Sequence, residues 1–175
     1  MVKVSTQGRK TPNQRKKHVK QMTKEEISFI RKVALRALHE HKRKIIVSTH
    51  VIDKMIDDRA DYNQKRVIIM LENLEKHLVE YSHIEKNNGI NVFKRRILLR
   101  DNEVVTVDDE GETKQCNLCI VYDIDYCTVI TSFYNPVEFT HEKLNWRRYS
   151  KHLKIISNTY KKGKRGSKRL NKKHF

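Results

Sequence analysis

Apolar residues recur every three or four positions in three stretches of the first half of the chain, as they do on one face of an amphipathic helix. The first stretch follows Thr23 and Glu26, which have the spacing of a capping box, and it predicts a helix over about residues 23–42. The second stretch predicts a helix from near His50 to near Arg59. The third predicts a helix whose apolar positions run over residues 67–78.

Further along the chain, apolar and polar residues alternate, which is the pattern of β-strands. Strands are predicted at residues 79–84, 92–100, 104–107, 118–123 and 128–134, after a brief strand at residues 45–47. The acidic segment 108–112 contains Gly111, which suits a turn between strands. Helices followed by a meander of strands indicate an α+β domain with antiparallel pairing.

The alternation gives the strand at residues 92–100 two faces. Ile97 and Leu99 point to one side, whereas Lys94, Arg96 and Arg100 point to the other. Because an unpaired charge is costly to bury, this cationic row is expected to face phosphates and not a core.

Positive charge is concentrated at the two ends of the chain. The formal net charge is +17, from 38 lysines and arginines against 21 acids. Residues 1–22 hold seven of the basic residues and residues 158–175 hold eight, and neither segment has an acid. Like-charged runs of this kind are typical of disorder. The predicted organisation is a basic disordered arm (1–22), an α+β domain (23–157) and a basic disordered tail (158–175).

The composition also indicates the cellular compartment and the class of binding partner. No apolar run reaches the roughly twenty residues that a membrane span needs, and residues 1–20 lack a signal-peptide stretch. Three cysteines do not make a disulfide framework, which suits a reducing compartment. The sequence therefore predicts a cytoplasmic protein without a membrane partner. Nucleic acid is the polyanion that fits the arms best, and the alternative is that the arms only aid solubility.

The segment 48–59 resembles the opening of a family of small bacterial and phage domains that typically begin with a His and reach a helix-closing Arg. Here these residues are His50 and Arg59, and the strand at residues 129–134 resembles a later strand of that family. The resemblance covers roughly residues 45–135. More remotely, the family resembles the RelE-type and BrnT-type ribonuclease toxins. The resemblance implies helices packed on a curved antiparallel sheet of four to five strands.

The resemblance also implies a metal-independent ribonuclease that uses no cofactor. Such a reaction needs a base for the ribose 2′-hydroxyl, an acid for the leaving oxygen and cations near the phosphate. His50 would be the acid or base. Arg59 and Arg96 would stabilise the phosphate, and Tyr134 would position the substrate or donate a proton. His50 and Arg59 are nine residues apart, however, which places them on opposite sides of a regular helix.

Further cations are predicted to contact nucleic acid. Arg147 and Arg148 stand between Trp146 and Tyr149, a mixture of cations and aromatics that nucleic-acid surfaces often carry. The other predicted contacts are Lys94, Arg100, Arg15, Lys16, Lys17, Lys161, Lys162, Lys164, Arg165, Lys168 and Arg169.

A metal site is not predicted. Cys116 and Cys119 have the spacing of a zinc knuckle, but no second pair follows them. On a strand, two residues three apart also face opposite sides of the sheet.

Two classes of function stay open on the sequence. The leading hypothesis is a protein of RelE-like architecture that binds RNA or the ribosome in preference to DNA and cleaves RNA. The alternative is a non-catalytic module associated with the ribosome, DNA or a virion, or an inhibitor of a host protein. The separation of His50 from Arg59 on a helix motivates the alternative.

Overall fold

The computed structural model describes residues 14–49, 51–52, 63–86, 91–139, 149–150, 153 and 155. Its elements in chain order are β1 (Gln14–His18), a short 3-10 helix (Val19–Gln21), α1 (Lys24–Glu40), β2 (Ile46–Val47), α2 (Gln64–Glu72), α3 (Leu74–His77), β3 (Leu78–Lys86), β4 (Asn91–Asp109), β5 (Glu112–Asp123) and β6 (Thr128–Pro136). No helix in these ranges is both long enough and apolar enough to cross a membrane.

Six strands form one open sheet in the order β1-β3-β4-β5-β6-β2. Neighbouring strands are antiparallel except β2, which runs parallel to β6 with Ile46 opposite Thr128. The domain is therefore α+β, as predicted, but its sheet is mixed and has one strand more than the four to five expected. The additional strand is β1, which lies in the segment that was predicted to be a disordered arm.

α1 begins at the predicted capping box and lays one side on the sheet. Thr23 Oγ1 accepts the backbone N–H of Glu26, and the Glu26 carboxylate accepts the N–H of Thr23. Ile30 and Leu38 on the inner side of the helix are buried in one core with Ile97 of β4. Each such aliphatic side chain contributes about 1.5–3 kcal/mol to folding relative to its exposure. This core fixes which side of α1 faces solvent.

The two predicted faces of the strand at 92–100 are confirmed. Ile97 and Leu99 belong to the main core beneath the helices, whereas Leu98 belongs to a smaller apolar cluster with Val79 and Cys119. Successive side chains of a strand point to opposite sides, so this smaller cluster lies on the side of the sheet away from α1. We call that side the open face.

The predicted boundary of the N-terminal arm is corrected by β1. This strand pairs with β3 along its whole length, from Gln14 opposite Ile84 to His18 opposite Glu80. Four basic residues thereby move from the arm to the folded body, whose formal charge rises from +2 to +6; they are Arg15, Lys16, Lys17 and Lys20. The predicted tail, residues 158–175, lies outside the described residues.

A buried ion pair explains why so basic a segment folds. Lys17 Nζ lies 2.9 Å from each carboxylate oxygen of Glu26, and both side chains are only 8% exposed. The same ammonium donates to the Leu153 carbonyl at 2.9 Å, and the Ile155 N–H is 3.4 Å from Glu26 Oε1. Three separate segments are therefore joined at one charge pair.

β4 is longer than predicted. The strands expected at 92–100 and 104–107 are one strand of 19 residues, with a bulge between Arg100 and Val104 that shifts its register against β5. Gly111 has a φ of 86° in the β4–β5 turn, a conformation that glycine adopts without strain. The predicted turn in the acidic segment is thus confirmed.

Candidate nucleic-acid interface

The three cations predicted on one side of β4 lie together on the open face. Lys94, Arg96 and Arg100 alternate with core residues such as Ile97, and in the register Arg96 lies beside Asp123 of β5. The row therefore exists as expected. Its members differ, however, in what they contact.

Arg96 lies next to a buried acid. Its Nε is 3.8 Å from Asp123 Oδ2, and the Arg96 side chain is 31% exposed whereas that of Asp123 is 4% exposed. Burial raises the pKa of Asp123 above its ordinary value; the N–H groups of Tyr126 and Asp125 and the charge of Arg96 oppose that rise without cancelling it. Part of the Arg96 charge is thus already matched within the protein.

Arg100 holds the chain that follows β6. Its Nε and Nη2 donate to Asn117 Oδ1 at 3.1 and 2.9 Å, and its Nη1 donates to the Phe139 carbonyl at 2.7 Å. A further contact joins Nη2 to the Pro136 carbonyl at 3.3 Å. Because its donors serve these acceptors, Arg100 is a structural residue here and its predicted role as a phosphate contact is not supported.

The three predicted contacts in β1 have different surroundings. Lys17 is buried against Glu26, so its predicted role as a surface phosphate contact is wrong. Lys16 Nζ lies 3.1 Å from Glu80 Oε1 and is half-buried. Arg15 is exposed.

The sheet separates the two described members of the predicted catalytic set. Arg96 is on the open face, whereas Tyr134 is opposite Leu118 and packs against the main core on the helix side. A sheet backbone lies between the two side chains, so they do not meet in one cleft. The fold therefore does not bring together these two members of the catalytic set that the resemblance implies.

The remaining predicted site residues lie outside the described residues. They are His50, Arg59, Arg147, Arg148, Lys161, Lys162, Lys164, Arg165, Lys168 and Arg169. Tyr149, the aromatic that follows the Arg147 and Arg148 pair, is described and buried, and its hydroxyl donates to Glu80 Oε2 at 2.7 Å.

The described part of the chain offers no metal centre. It contains no group of three or more His, Cys, Asp and Glu side chains placed to hold an ion. Cys116, Cys119 and Cys127 are all buried and free. Burial raises the pKa of Cys119 to about 11, which disfavours the thiolate that metal binding or nucleophilic attack requires.

Sequence analysis missed the largest set of exposed cations in the described structure. It lies on the outer side of α1 and in the turn after it, and we call it the α1 band: Lys24, Arg31, Lys32, Arg36, Lys42, Arg43 and Lys44. Arg43 pairs with the partly exposed Glu72 of α2 at 3.0 Å. Within the described ranges, none of the other six forms an ion pair. The helical period of the sequence places Lys24, Arg31, Lys32 and Arg36 away from the apolar positions of α1, so this signal was present in the sequence although it was not used.

The α1 band has the form of a rigid row. Seventeen residues of helix extend about 26 Å at 1.5 Å per residue. Three acids accompany the seven cations on this side of the molecule: Glu25, Glu40 and Glu72, the partner of Arg43. The band therefore keeps a net charge of +4 over a surface whose backbone is fixed by the core beneath it.

Comparison of the chain with protein-family models, curated proteins and solved structures found no match.

Proposed function

We propose that this protein binds nucleic acid, and that the α1 band is the contact made by its folded domain. One observation carries the proposal: six exposed cations of the band have no acidic partner within the described residues. A cation that is already paired gains little from a phosphate, because it must first give up its partner. Cations without a partner retain their full attraction for a polyanion.

Counterion release supplies the free energy for such a contact. Each phosphate that a lysine or arginine neutralises releases condensed cations, so affinity falls linearly with salt on logarithmic axes. The basic segments 1–13 and 158–175, which hold three and eight lysines or arginines and no acid, add the same kind of attraction. The side chains of the band start from an ordered helix, which holds their charges in a fixed arrangement.

RNA is the proposed target because of the resemblance to toxins that act on RNA. We propose binding without cleavage by the predicted catalytic set, since Arg96 and Tyr134 lie on opposite sides of the sheet. Incubation of the protein with labelled RNA in EDTA is expected to leave the RNA intact. Cleavage in EDTA that is lost in Arg96→Ala would contradict this part of the proposal.

The binding proposal is tested by replacing Arg31, Lys32 and Arg36 together with alanine. These side chains point away from the core, so the fold is expected to persist. The magnitude of the slope of log affinity against log salt is expected to fall by about 2 units on single strands and nearly 3 on duplexes, at roughly 0.7 and 0.9 per lost phosphate contact. Fluorescence anisotropy with labelled RNA between about 50 and 200 mM salt measures this slope.

The matched control removes the same number of exposed cations elsewhere: Lys65, Lys76 and Lys114, the last of which pairs with Asp109. Its salt slope is expected to equal that of the unaltered protein. Equal losses in both triple variants would show that only net charge matters, and no loss in the α1 variant would exclude the band as a contact. Absence of any RNA or DNA binding by the full chain at low salt would overturn the proposal itself.

A further inference from the structure

Backbone strain is concentrated at one corner of the described structure. Four non-glycine residues of the described chain have a φ in the left-handed region, and three of them lie at this corner: Lys42 (54°), Arg43 (57°), Cys127 (48°) and, elsewhere, Glu110 (53°). Glu110 sits in the β4–β5 turn, but the other three lie in the turn after α1 and the turn between β5 and β6. Left-handed non-glycine residues persist where the surroundings hold them, and they cluster at functional sites.

β2 joins the two strained turns. The Ile46 N–H donates to the Cys127 carbonyl at 2.8 Å, which begins the parallel pairing of β2 with β6. Lys44 lies two residues before Ile46, and Tyr126 lies one residue before Cys127. Three Cα–Cα steps of 3.8 Å and one cross-strand step of about 5 Å place the Cα atoms of Lys44 and Tyr126 no more than roughly 17 Å apart. We take this as a distance that the two side chains and one or two nucleotides can span.

Tyr126 is an exposed aromatic residue on a rigid turn. It is 60% exposed, yet its N–H donates to Asp123 Oδ1 at 3.1 Å and its carbonyl accepts Thr128 Oγ1 at 2.9 Å. Next to it, Asp125 forms an ion pair with Arg95. A backbone fixed in this way presents an aromatic ring with little conformational entropy left to lose on binding.

The charges at the corner favour an anion. Lys42, Arg43 and Lys44 are exposed, and the two left-handed residues among them are long cationic side chains where glycine or asparagine would cause less strain. The exposed acid at the end of α1 is Glu40, and Arg43 shares its charge with Glu72. At the other turn Asp125 is likewise matched by Arg95, so the exposed charges without an ion-pair partner among the described residues are Lys42 and Lys44 against Glu40, a net of +1.

We propose that this corner captures an unpaired nucleotide of the bound nucleic acid. The base stacks on Tyr126, and the phosphates on either side of it contact Lys42 and Lys44. Unstacked bases splayed onto aromatic side chains beside cations are the usual way in which proteins recognise loops, bulges and ends of RNA. This inference rests on the proposed function and narrows it. The α1 band contacts the phosphate backbone of the nucleic acid, and the corner selects nucleic acids in which an unpaired base lies beside that backbone.

The experiment compares an RNA hairpin that has an unpaired loop with a blunt RNA duplex of the same stem. Tyr126→Ala is expected to weaken binding of the hairpin about 5- to 100-fold, the range of one lost base stack, and to leave the blunt duplex unchanged. Tyr126→Phe keeps the ring and is expected to bind both RNAs as the unaltered protein does. Phe139→Ala is the matched control, because Phe139 is 63% exposed but is held by Arg100 in the turn after β6.

A second variant separates binding from folding. Lys42→Gly with Arg43→Gly relieves the left-handed strain, so the melting temperature is expected to stay level or rise by about 2–4 °C while affinity for the hairpin falls. A purely structural role for these residues predicts no fall in affinity as stability rises. The corner proposal is overturned if the hairpin and the blunt duplex lose affinity equally in Tyr126→Ala, or if neither does. If the unaltered protein binds no RNA, it is the proposed function that fails.

Discussion

The outer side of α1 and the open face of the sheet both carry cations, but they use them differently. On the open face, Lys16 pairs with Glu80, Arg96 lies beside Asp123, and Arg100 donates to an asparagine and to backbone carbonyls. On α1, six of the seven cations of the band lack an ion-pair partner within the described ranges. A basic residue in a sequence is therefore not the same as a positive charge available to a ligand.

The difference follows from the geometry of the two elements. Cross-strand neighbours stand about 5 Å apart on one face of a sheet, so a basic residue on β4 meets side chains from β3 and β5 on both sides. Among the described residues, no element covers the outer side of α1, where the cations are exposed. Its exposed cations meet only residues three or four positions away on the same helix. The positive charge available to a ligand thus depends more on how many elements lie beside the cations than on how many cations there are.

The largest expected effect comes from breaking the most protected pair. Lys17→Met leaves the Glu26 carboxylate buried without its cation, which is expected to cost about 3–5 kcal/mol of unfolding free energy. The adjacent Lys16→Met removes a partly exposed pair with Glu80 and is expected to cost less than about 1 kcal/mol. Urea denaturation of the two variants measures both costs. If the two variants lost the same unfolding free energy, burial would not determine how much each ion pair contributes to stability.

The burial of Lys17 also shows where sequence interpretation stops. α1 was predictable because its cap and its apolar period are local signals within a few residues. β1 has almost no apolar residue, and its partner strand β3 begins about sixty residues later, so nothing local marks it as a strand. The acid that neutralises Lys17 lies on a different element, and only the fold brings the two together.

The candidate site was predictable to a similar extent. The alternation of β4 placed Arg96 and Arg100 on one face correctly, because period two is a property of any strand. It did not reveal that Arg100 holds the segment around Phe139, since that contact spans 39 residues. The same limit applies to Tyr134, whose face depends on the β5–β6 register and on a register shift between Val121 and Tyr122.

A second prediction compares two buried aspartates that face arginines. Burial by itself raises the pKa of Asp101. The side-chain hydrogen bonds from Arg66, the N–H of Glu103 and the positive charge of Arg66 together outweigh burial, so the pKa of Asp101 lies below its ordinary value. Asp123 has the opposite balance, and its pKa is raised by burial. Both carboxylates accept backbone N–H groups, so asparagine keeps much of the hydrogen bonding at each position.

The sign of the two shifts fixes the expected pH dependence. Because the pKa of Asp101 is lower in the folded than in the unfolded state, the ionised carboxylate stabilises the fold. This contribution is fully present at a pH above the unfolded-state pKa, near 3.9, and is lost as the pH falls through the folded-state pKa. Asp101→Asn is therefore expected to cost about 1–2 kcal/mol at pH 7, with Arg66 partly solvated, and to reduce the loss of stability in acid. Asp123→Asn is expected to be neutral or stabilising at pH 7. Urea titrations at pH 7 and pH 3 measure the unfolding free energies of both variants. If Asp123→Asn lost as much stability at pH 7 as Asp101→Asn, the opposite pKa shifts of the two aspartates would be contradicted.

The smallest expected effect is that of Arg96 on nucleic-acid binding. If the open face is not a contact, Arg96→Ala changes RNA affinity less than about twofold and leaves the salt slope unchanged, in contrast to the slope loss expected for the α1 variant. The same substitution removes a charge that lowers the pKa of Asp123, so that pKa is expected to rise further, which carboxyl-carbon NMR can follow. A shifted Asp123 pKa with unchanged RNA affinity would show that the Arg96 charge acts within the protein. A salt slope reduced by nearly one unit, with no such loss in the Lys65, Lys76 and Lys114 control, would instead indicate that Arg96 on the open face contacts a phosphate.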